Sequence, residues 1–538
     1  MARRPNSSAR LKRLLEAGYF PEELPPPFVT HPFARFRAAL ERAWPADLSK
    51  YEAIPEPYSV PRHSHARRRV VICNPISQFR VSKVVADNWI EIKAHLSKSN
   101  TTEFRPIFDM SGDRSLFGIN WRGVDAARVR IAAQYGNQFH TDISKFYPSI
   151  YTHAFAWAYF GKARVQANLK AGWLTTSFIH QLDKVVRHGQ RNQSVGIPIG
   201  PDTSRIIAEI VAVGIEERLK GEIKNYDQRA VRYVDDFTIG IDENESEEFI
   251  AAALERALSH FELDVNFDKT KVVGHRTPAD SRWIYDLIAY NVFGSGPLQR
   301  DYIDRYFGAA VAHSDRADQD AVLKWAIKRS RSFRIEDGNF QYYIETVLRV
   351  SRRAPACLRA LAQLLIDARF VGRPLPMDSI RKFVVDHVRI HAPSGHAFEV
   401  SWALFICKGL NMSLKRSEVS GVFSMRSSVC ALLLMDLNAR GLIDGGIDDR
   451  LWKRECASAS GLQSDMWLLS YEAVKKGWWT GAPTAYVSTD PFFGPLLARG
   501  VYFYSEERNF RTTRAEARRN LRHLRVASAV LLRWADYF

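Results

Sequence analysis

The chain has 538 residues, of which 46% are hydrophobic, enough apolar material for two or three domains rather than one core. Its formal net charge of +17 implies long-range attraction to phosphate backbones, a property that incidental binders share with nucleic-acid enzymes. Five scattered cysteines (Cys73, Cys357, Cys407, Cys430, Cys456) without Cys-x-x-Cys spacing argue against a zinc ribbon and a disulfide framework. No run approaches a membrane span and the basic amino terminus lacks the apolar core of a signal peptide, so the expectation is a cytoplasmic protein.

Along the chain, a proline-rich segment, Gly18-Tyr19-Phe20-Pro21-Glu22-Glu23-Leu24-Pro25-Pro26, comes first. His63 and His65 beside Arg67-Arg68-Arg69 read as a basic surface loop, since no third metal ligand is near. Phe139 and Ile143 bound a short apolar stretch that ends at Pro148 and sets Asp142 at a strand end. Next, Gln193-Ser194-Val195-Gly196-Ile197-Pro198-Ile199-Gly200-Pro201-Asp202-Thr203-Ser204 forms a Gly/Pro turn opening into a helix. Ile206, Ile210 and Val213 recur there at helical spacing, with Asp202 or Thr203 as the cap. Such a loop lets backbone approach a substrate closely.

Val231 and Tyr233 on one side of an acidic pair, and Phe237, Ile239 and Ile241 on the other, predict a β-hairpin with Asp235 and Asp236 at its tip. Ser246 caps a helix carrying Phe249, Ile250, Leu254, Leu258 and Phe261, followed by a strand, Leu263-Asp264-Val265-Asn266-Phe267-Asp268, that leads to Lys269. Acidic pairs are common in turns, so Tyr233-Val234-Asp235-Asp236 is by itself only a short match. Two strand-borne carboxylates from distant points, however, are what hard Mg2+ ions require when one activates a hydroxyl and the other holds a triphosphate. Strand, helix, hairpin, helix, strand is the split β-α-β palm of right-handed polymerases.

The ordered set resembles the reverse transcriptases: an aspartate with an aromatic five residues on, Gly-x-Pro-x-Gly, Tyr-x-Asp-Asp, then Leu-x-Val-Asn-x-x-Lys-Thr. Within them the chain is most similar to the abortive-infection and defence-associated reverse transcriptases of bacteria. The proline-rich amino-terminal segment, the run from Asp142 through Tyr147 and His153 to Lys162, and Gly196 to Ser204 carry that likeness. It covers roughly the first half of the chain.

The resemblance implies that Asp142 and Asp235 are metal ligands with the carbonyl of Ile143, that Asp236 tunes the site, and that Lys269 stands near the leaving pyrophosphate. It places Tyr147 under the sugar of an incoming deoxynucleotide, Gly196, Pro198 and Gly200 in the substrate loop, and Arg105, with Arg114 as an alternative, at the triphosphate. Template-copying relatives usually carry glutamine where this chain has Ile199, and isoleucine offers no hydrogen bond. The defence group shares that substitution, and several members make DNA untemplated from a protein hydroxyl, so the product is expected to be protein-linked. The competitors are an RNA-templated enzyme of the retron or group II intron kind, and a palm-fold protein that only captures nucleic acid.

The expected fold is therefore α+β: a right-hand fingers and palm domain over 1–300, then an all-α, HEAT-like helical-repeat domain over 301–538. Helices are predicted at 377–391, 397–409, 425–441 and 512–535. The resemblance implies that this half forms a product channel and that the protein is a homo-oligomer. Arg508, Arg511, Arg514, Arg518, Arg519, Arg522 and Arg525, with Tyr502, Tyr504 and Phe510, form either a strand-binding stripe or a solvated helix face. Arg381 and His387 match a loose Arg-x5-His ribonuclease pattern that arginine-rich chains meet by chance. Trp452, Trp467, Trp478 and Trp479 read as core or subunit interface.

Overall fold

The computed structural model describes residues 5–47, 51–62, 66–117, 120–168, 172–274, 282–317, 320–479 and 484–510. His63, His65, the arginines from Arg511 onward and the helix expected over 512–535 lie outside the described residues. The chain divides into two compact units, Met1–Pro21 with Thr30–Pro55 and Val71–Pro278, and Glu22–Val29 with Glu56–Val70 and Ala279–Phe538. The second unit takes in two amino-terminal segments that no local pattern marks, and long-range bonds hold them there. Val29 N–H donates to Phe503 O at 2.9 Å and Ser505 N–H to Pro27 O at 2.8 Å, while the Trp402 indole donates to Glu23 O at 3.0 Å. Strands β1 (Glu56–Pro61) and β2 (Arg67–Ile72) form a separate pair.

The first unit is built on an antiparallel sheet of β3 (Asn137–Asp142), β4 (Ala230–Tyr233), β5 (Asp236–Ile241) and β6 (Lys271–Gly274), in the order β4-β5-β3-β6. Helix Trp121–Gln134 covers it, with Ala127 and Ile131, one turn apart, packed on Val231. Helix Asp202–Glu222 is buried on nearly every side over its first four turns, which accounts for an apolar pattern that runs all round it. It starts at Asp202 with extended Pro201 as N-cap, and neither Asp202 nor Thr203 caps it through its side chain. Ser246 does cap helix Glu247–Ser259, accepting from Phe249 N–H at 3.2 Å.

Two local expectations are corrected. The hairpin tip is Val234-Asp235, and Asp236 is already the first residue of β5, opposite Tyr233. Lys269 does not end a strand: it closes a single 3-10 turn, Phe267–Lys269, and β6 starts two residues later. Asn266 and Thr270 bracket that turn with hydrogen bonds (Lys269 N–H to Asn266 O, 3.1 Å; Thr270 hydroxyl to Asn266 O, 2.9 Å) that extended backbone could not make.

A buried histidine makes the first unit acid-sensitive. His95 donates from Nε2 to Ile210 O at 3.0 Å, and burial pushes its pKa down to about 4. A pKa depressed below the unfolded value means that the neutral ring stabilises the fold above pH 6.5 and that this contribution is lost as pH falls toward 4. A shift of this size corresponds to roughly 3 kcal/mol. Urea unfolding compared at pH 7 and pH 4.5 is expected to show the loss, and His95→Gln, which keeps a donor to Ile210, to flatten it; an unchanged pH slope in the variant places the acid sensitivity elsewhere.

The described part of the second unit is almost all helical. Helices Gly296–Ala317, Asp337–Arg353, Met377–His391 and Arg416–Val419 stack in one row, and Ala321–Ser330, Leu358–Phe370, Ala397–Leu410, Ser428–Ala439 and Trp467–Lys475 in a second. Row membership follows the sequence pattern. Met377–His391 buries Ile380, Phe383, Val384, His387 and Val388 along one stripe, whereas Ala397–Leu410 and Ser428–Ala439 are buried nearly all round.

The decoys of this half resolve into packing. His387 is buried and donates from Nδ1 to Phe383 O at 2.9 Å, while Arg381 grips Glu418 at 2.9 and 2.8 Å. Tyr504 is buried with its hydroxyl on Asp436 at 2.7 Å, and Phe510 stacks on Trp402, so neither is exposed for base stacking. Trp452, Trp467 and Trp479 are buried. All five cysteines are buried and free, and no helix among the described residues is long and apolar enough to cross a membrane.

Candidate active site

The central strand pair brings the acids together. Asp142 is the last residue of β3 and stands directly opposite Asp236 on β5, a separation of about 5 Å between Cα atoms for opposed residues. Asp235 follows from the turn that joins β4 to β5. Ile143 N–H donates to Asp235 O at 3.2 Å. On its other edge the chain is bonded through Asp142 O (from Asn266 N–H, 2.9 Å) and Ser144 N–H (to Asp264 O, 2.9 Å). In an antiparallel ladder this alternation turns the carbonyl of Ile143 to the same side as its N–H, toward the acidic turn.

The turn itself is strained. Val234 has φ of 53°, a left-handed conformation that a β-branched side chain resists, at a cost on the order of 1–3 kcal/mol. Two-residue hairpins normally place glycine or asparagine at such positions.

The electrostatics are those of crowded carboxylates. Burial, then the like charges of Asp235 and Asp142, push the Asp236 carboxyl up to about 7, against the opposing pull of Arg128 and Lys269. Lys269 pairs with Asp142 Oδ2, and its side chain is 61% exposed. The other oxygen, Asp142 Oδ1, is buried and has no hydrogen-bond partner. Clustered hard oxygen donors, one of them orphaned, fit a divalent oxygen-seeking cation, which would satisfy Oδ1 and relieve the repulsion.

The Gly/Pro loop is stitched to the segment that carries Tyr147. Ile197 N–H donates to Tyr147 O at 2.9 Å and Gly196 N–H to Ile150 O at 2.8 Å. Gly196 has φ of 88°, and a Cβ there would meet Pro148 O at 3.0 Å. Gly200, with φ of 135°, leaves equally little room against Pro21 and Val71 O, while the Ile199 carbonyl accepts from Val71 N–H at 2.8 Å. Tyr147 lies within electrostatic range of Tyr233: burial raises the Tyr233 pKa, Arg205 opposes it, and Tyr147, Asp235 and Asp236 add to it. Pro198 faces inward, bordering a small void with Cys73, Ser77 and Thr203.

The two arginine candidates separate. Arg114 is structural: it donates to Phe20 O at 2.8 Å and Gly200 O at 3.3 Å and pairs with Asp202 at 2.6 Å. Asp202, which also accepts from the Ser115 hydroxyl at 2.6 Å, is thereby drawn away from capping its helix. Its backbone N–H donates to Gly18 O at 2.8 Å, and a Cβ on Gly18 would collide with the Ser115 side chain, which accounts for the glycine in the amino-terminal segment. Arg105 is exposed and, among the described residues, makes no ion pair. It follows Thr101–Glu103, which runs along β4 through Arg232 N–H to Thr101 O (3.0 Å) and Glu103 N–H to Arg232 O (3.1 Å).

Sequence reasoning missed Arg128, which acts on Asp236 from helix Trp121–Gln134, and the buried Arg232 with Glu209 and Glu216. The signal for the latter was present: Arg232 interrupts an apolar strand, and Glu209 and Glu216, two turns apart, are the charged residues of the stretch 206–216 that is otherwise apolar. Among the described residues, His391, His396 and Glu399 in the second unit bring three metal-ligating atoms within 4.8 Å of one another. Arg67 holds both oxygens of Glu399 at 2.8 Å, and the two histidines share a 3.0 Å hydrogen bond, so these groups satisfy one another.

Residues 64–285 match the family model for reverse transcriptase (RNA-dependent DNA polymerase). No curated protein matches the chain. Similar solved structures include telomerase from Candida albicans in complex with the TWJ fragment of telomeric RNA, at 12% identity and TM-score 0.27, covering 62% of this chain and 65% of that one. Apo telomerase from Candida tropicalis gives 10% identity and TM-score 0.30, covering 69% and 71%. The chain thus spans just under two thirds of the first telomerase's length, and at these scores neither neighbour bears on what it does. The match takes in the residues that build the acidic centre, so residues 64–285 of this chain are similar to the reverse transcriptase (RNA-dependent DNA polymerase) domain.

Proposed function

We propose that this domain builds DNA from deoxynucleoside triphosphates without a template, starting from a hydroxyl of the protein itself, in bacterial antiviral defence. The observation that carries the polymerase chemistry is the register of Asp142 against Asp236 with Asp142 Oδ1 left without a partner. Asp142 and Asp235, with the carbonyl of Ile143, would hold Mg2+, which when bound acidifies the attacking hydroxyl and neutralises the leaving pyrophosphate. Lys269, exposed and paired only through its ammonium, exchanges Asp142 for the departing phosphate charge. Arg105 is available to the triphosphate, and Tyr147, fixed by its carbonyl to the Gly196-Pro198-Gly200 loop, sits beneath the sugar.

Untemplated synthesis is supported by Ile199, whose side chain has no group to order a template base, and by the likeness to the defence enzymes. That likeness also supports a homo-oligomer with the helical unit, read as a HEAT-like array from its alternating rows, guiding the product. The test incubates purified protein with Mg2+ and each labelled deoxynucleotide, with and without RNA template and primer, and then digests with protease. Label on protein without template is expected. Template-dependent synthesis would replace this reading with an RNA-copying one, and no incorporation under any condition would overturn the polymerase itself.

A further inference from the structure

We infer that Arg232 is a positioning residue for nucleotidyl transfer, holding the Val234-Asp235 turn in the shape that aims the acids. The inference rests on the polymerase reading above. The turn adopts a left-handed conformation at Val234 with no glycine to make it easy, so contacts from outside must hold it. Each of its two carbonyls is held by a hydrogen bond. Val234 O accepts from Arg232 Nη1 at 2.9 Å, and Asp235 O from Ile143 N–H at 3.2 Å.

Arg232 is itself immobilised. Fully buried, it donates through Nη1 and Nη2 to the two oxygens of Glu209, at 3.0 and 2.6 Å, and through Nε to Glu216 at 2.7 Å. The Thr101 hydroxyl donates to the same Glu216 oxygen at 2.6 Å. Glu209 and Glu216 stand two turns apart on one face of helix Asp202–Glu222, the helix that opens at the Gly/Pro loop. Both carboxylates therefore fix the plane of the guanidinium, and a remaining N–H of Nη1 reaches the turn.

A buried arginine with two carboxylates is poor value for stability alone, since well-packed apolar side chains do as well or better in such places. Its geometry, in contrast, links two functional parts rigidly: the helix behind the substrate loop and the turn that carries Asp235. Lysine cannot substitute. It is a single point charge without the planar fork needed to span Glu209 and still meet Val234 O.

The test compares wild type, Arg232→Lys and Glu216→Gln for kcat, deoxynucleotide KM, Mg2+ concentration at half-maximal rate, and melting temperature. Arg232→Lys is expected to lower kcat about 30-fold and raise the Mg2+ requirement about fivefold, with KM changed less than about threefold. Glu216→Gln, which weakens the Nε bond but leaves the turn contact, should lower the melting temperature while keeping kcat within about threefold. Should Arg232→Lys fail to fold, the triple replacement Arg232→Met, Glu209→Leu, Glu216→Met fills the site with apolar groups and must show the same loss of kcat and Mg2+ response. Wild-type kcat in either turn-contact variant, or kcat losses that track melting temperature equally in all variants, would overturn the inference alone. An inactive wild type would overturn the polymerase reading and this inference with it.

Discussion

Asp142→Asn will cut nucleotide incorporation by about a thousandfold or more while leaving the protein folded. Asparagine keeps the shape of the side chain but replaces the charge that a divalent cation requires, at an acid whose buried Oδ1 has no hydrogen-bond partner. The fold loses little. The ion pair broken joins Asp142, 6% exposed, to Lys269, whose side chain is 61% exposed, so the lysine left behind stays solvated. It also sheds like-charge repulsion, because Asp142 is one of the two charges that raise the Asp236 carboxyl. Without metal the variant should therefore melt at the same temperature as wild type or higher, whereas the gain in melting temperature on adding Mg2+ should disappear. Incorporation assays paired with melting curves, with and without Mg2+, decide it; more than a tenth of wild-type activity in the variant would remove Asp142 from the metal site.

Tyr147→Ala will reduce discrimination against ribonucleotides by about 100-fold, with Tyr147→Phe close to wild type. The backbone of Tyr147 is held by Ile197 N–H on its carbonyl and by the short helix Phe146–Ser149, so truncation removes the ring without moving its support. With the sugar over the ring as proposed, the space opened there would admit a 2'-hydroxyl that the ring would exclude. Since a steric wall acts on the ribose alone, the effect belongs in the ratio of kcat/KM for a deoxynucleotide and its ribonucleotide, not in the rate for the deoxynucleotide. An unchanged ratio in Tyr147→Ala would mean that the sugar is checked elsewhere.

The acidic centre was legible because its parts are local. Alternating Val231 and Tyr233, then Phe237, Ile239 and Ile241, report a hairpin directly, and Ser246 marks the next helix through a bond three residues long. Where the structure departs from the local pattern, a distant partner outweighed a local signal. The acidic pair looked like the tip of the turn, but β3 supplies Asp142 as a partner across from Asp236, and that long-range pairing draws Asp236 into the strand. Asp202 looked like a helix cap until Arg114 and Ser115, nearly ninety residues away, claimed both its oxygens.

By itself, the sequence determined which chemistry is present: carboxylates on strand ends, a lysine beyond them, a close-approach loop between, and a second half that is helical. Periodicity, glycine and proline carry that information within a few residues. Only the tertiary structure decided that residues 22–29 and 56–70 belong with the second unit, that Arg114 is structural while Arg105 is exposed, and that Arg232 holds the acidic turn through Glu209 and Glu216. Each of these depends on which distant groups meet a buried polar atom, and no local pattern encodes such a meeting.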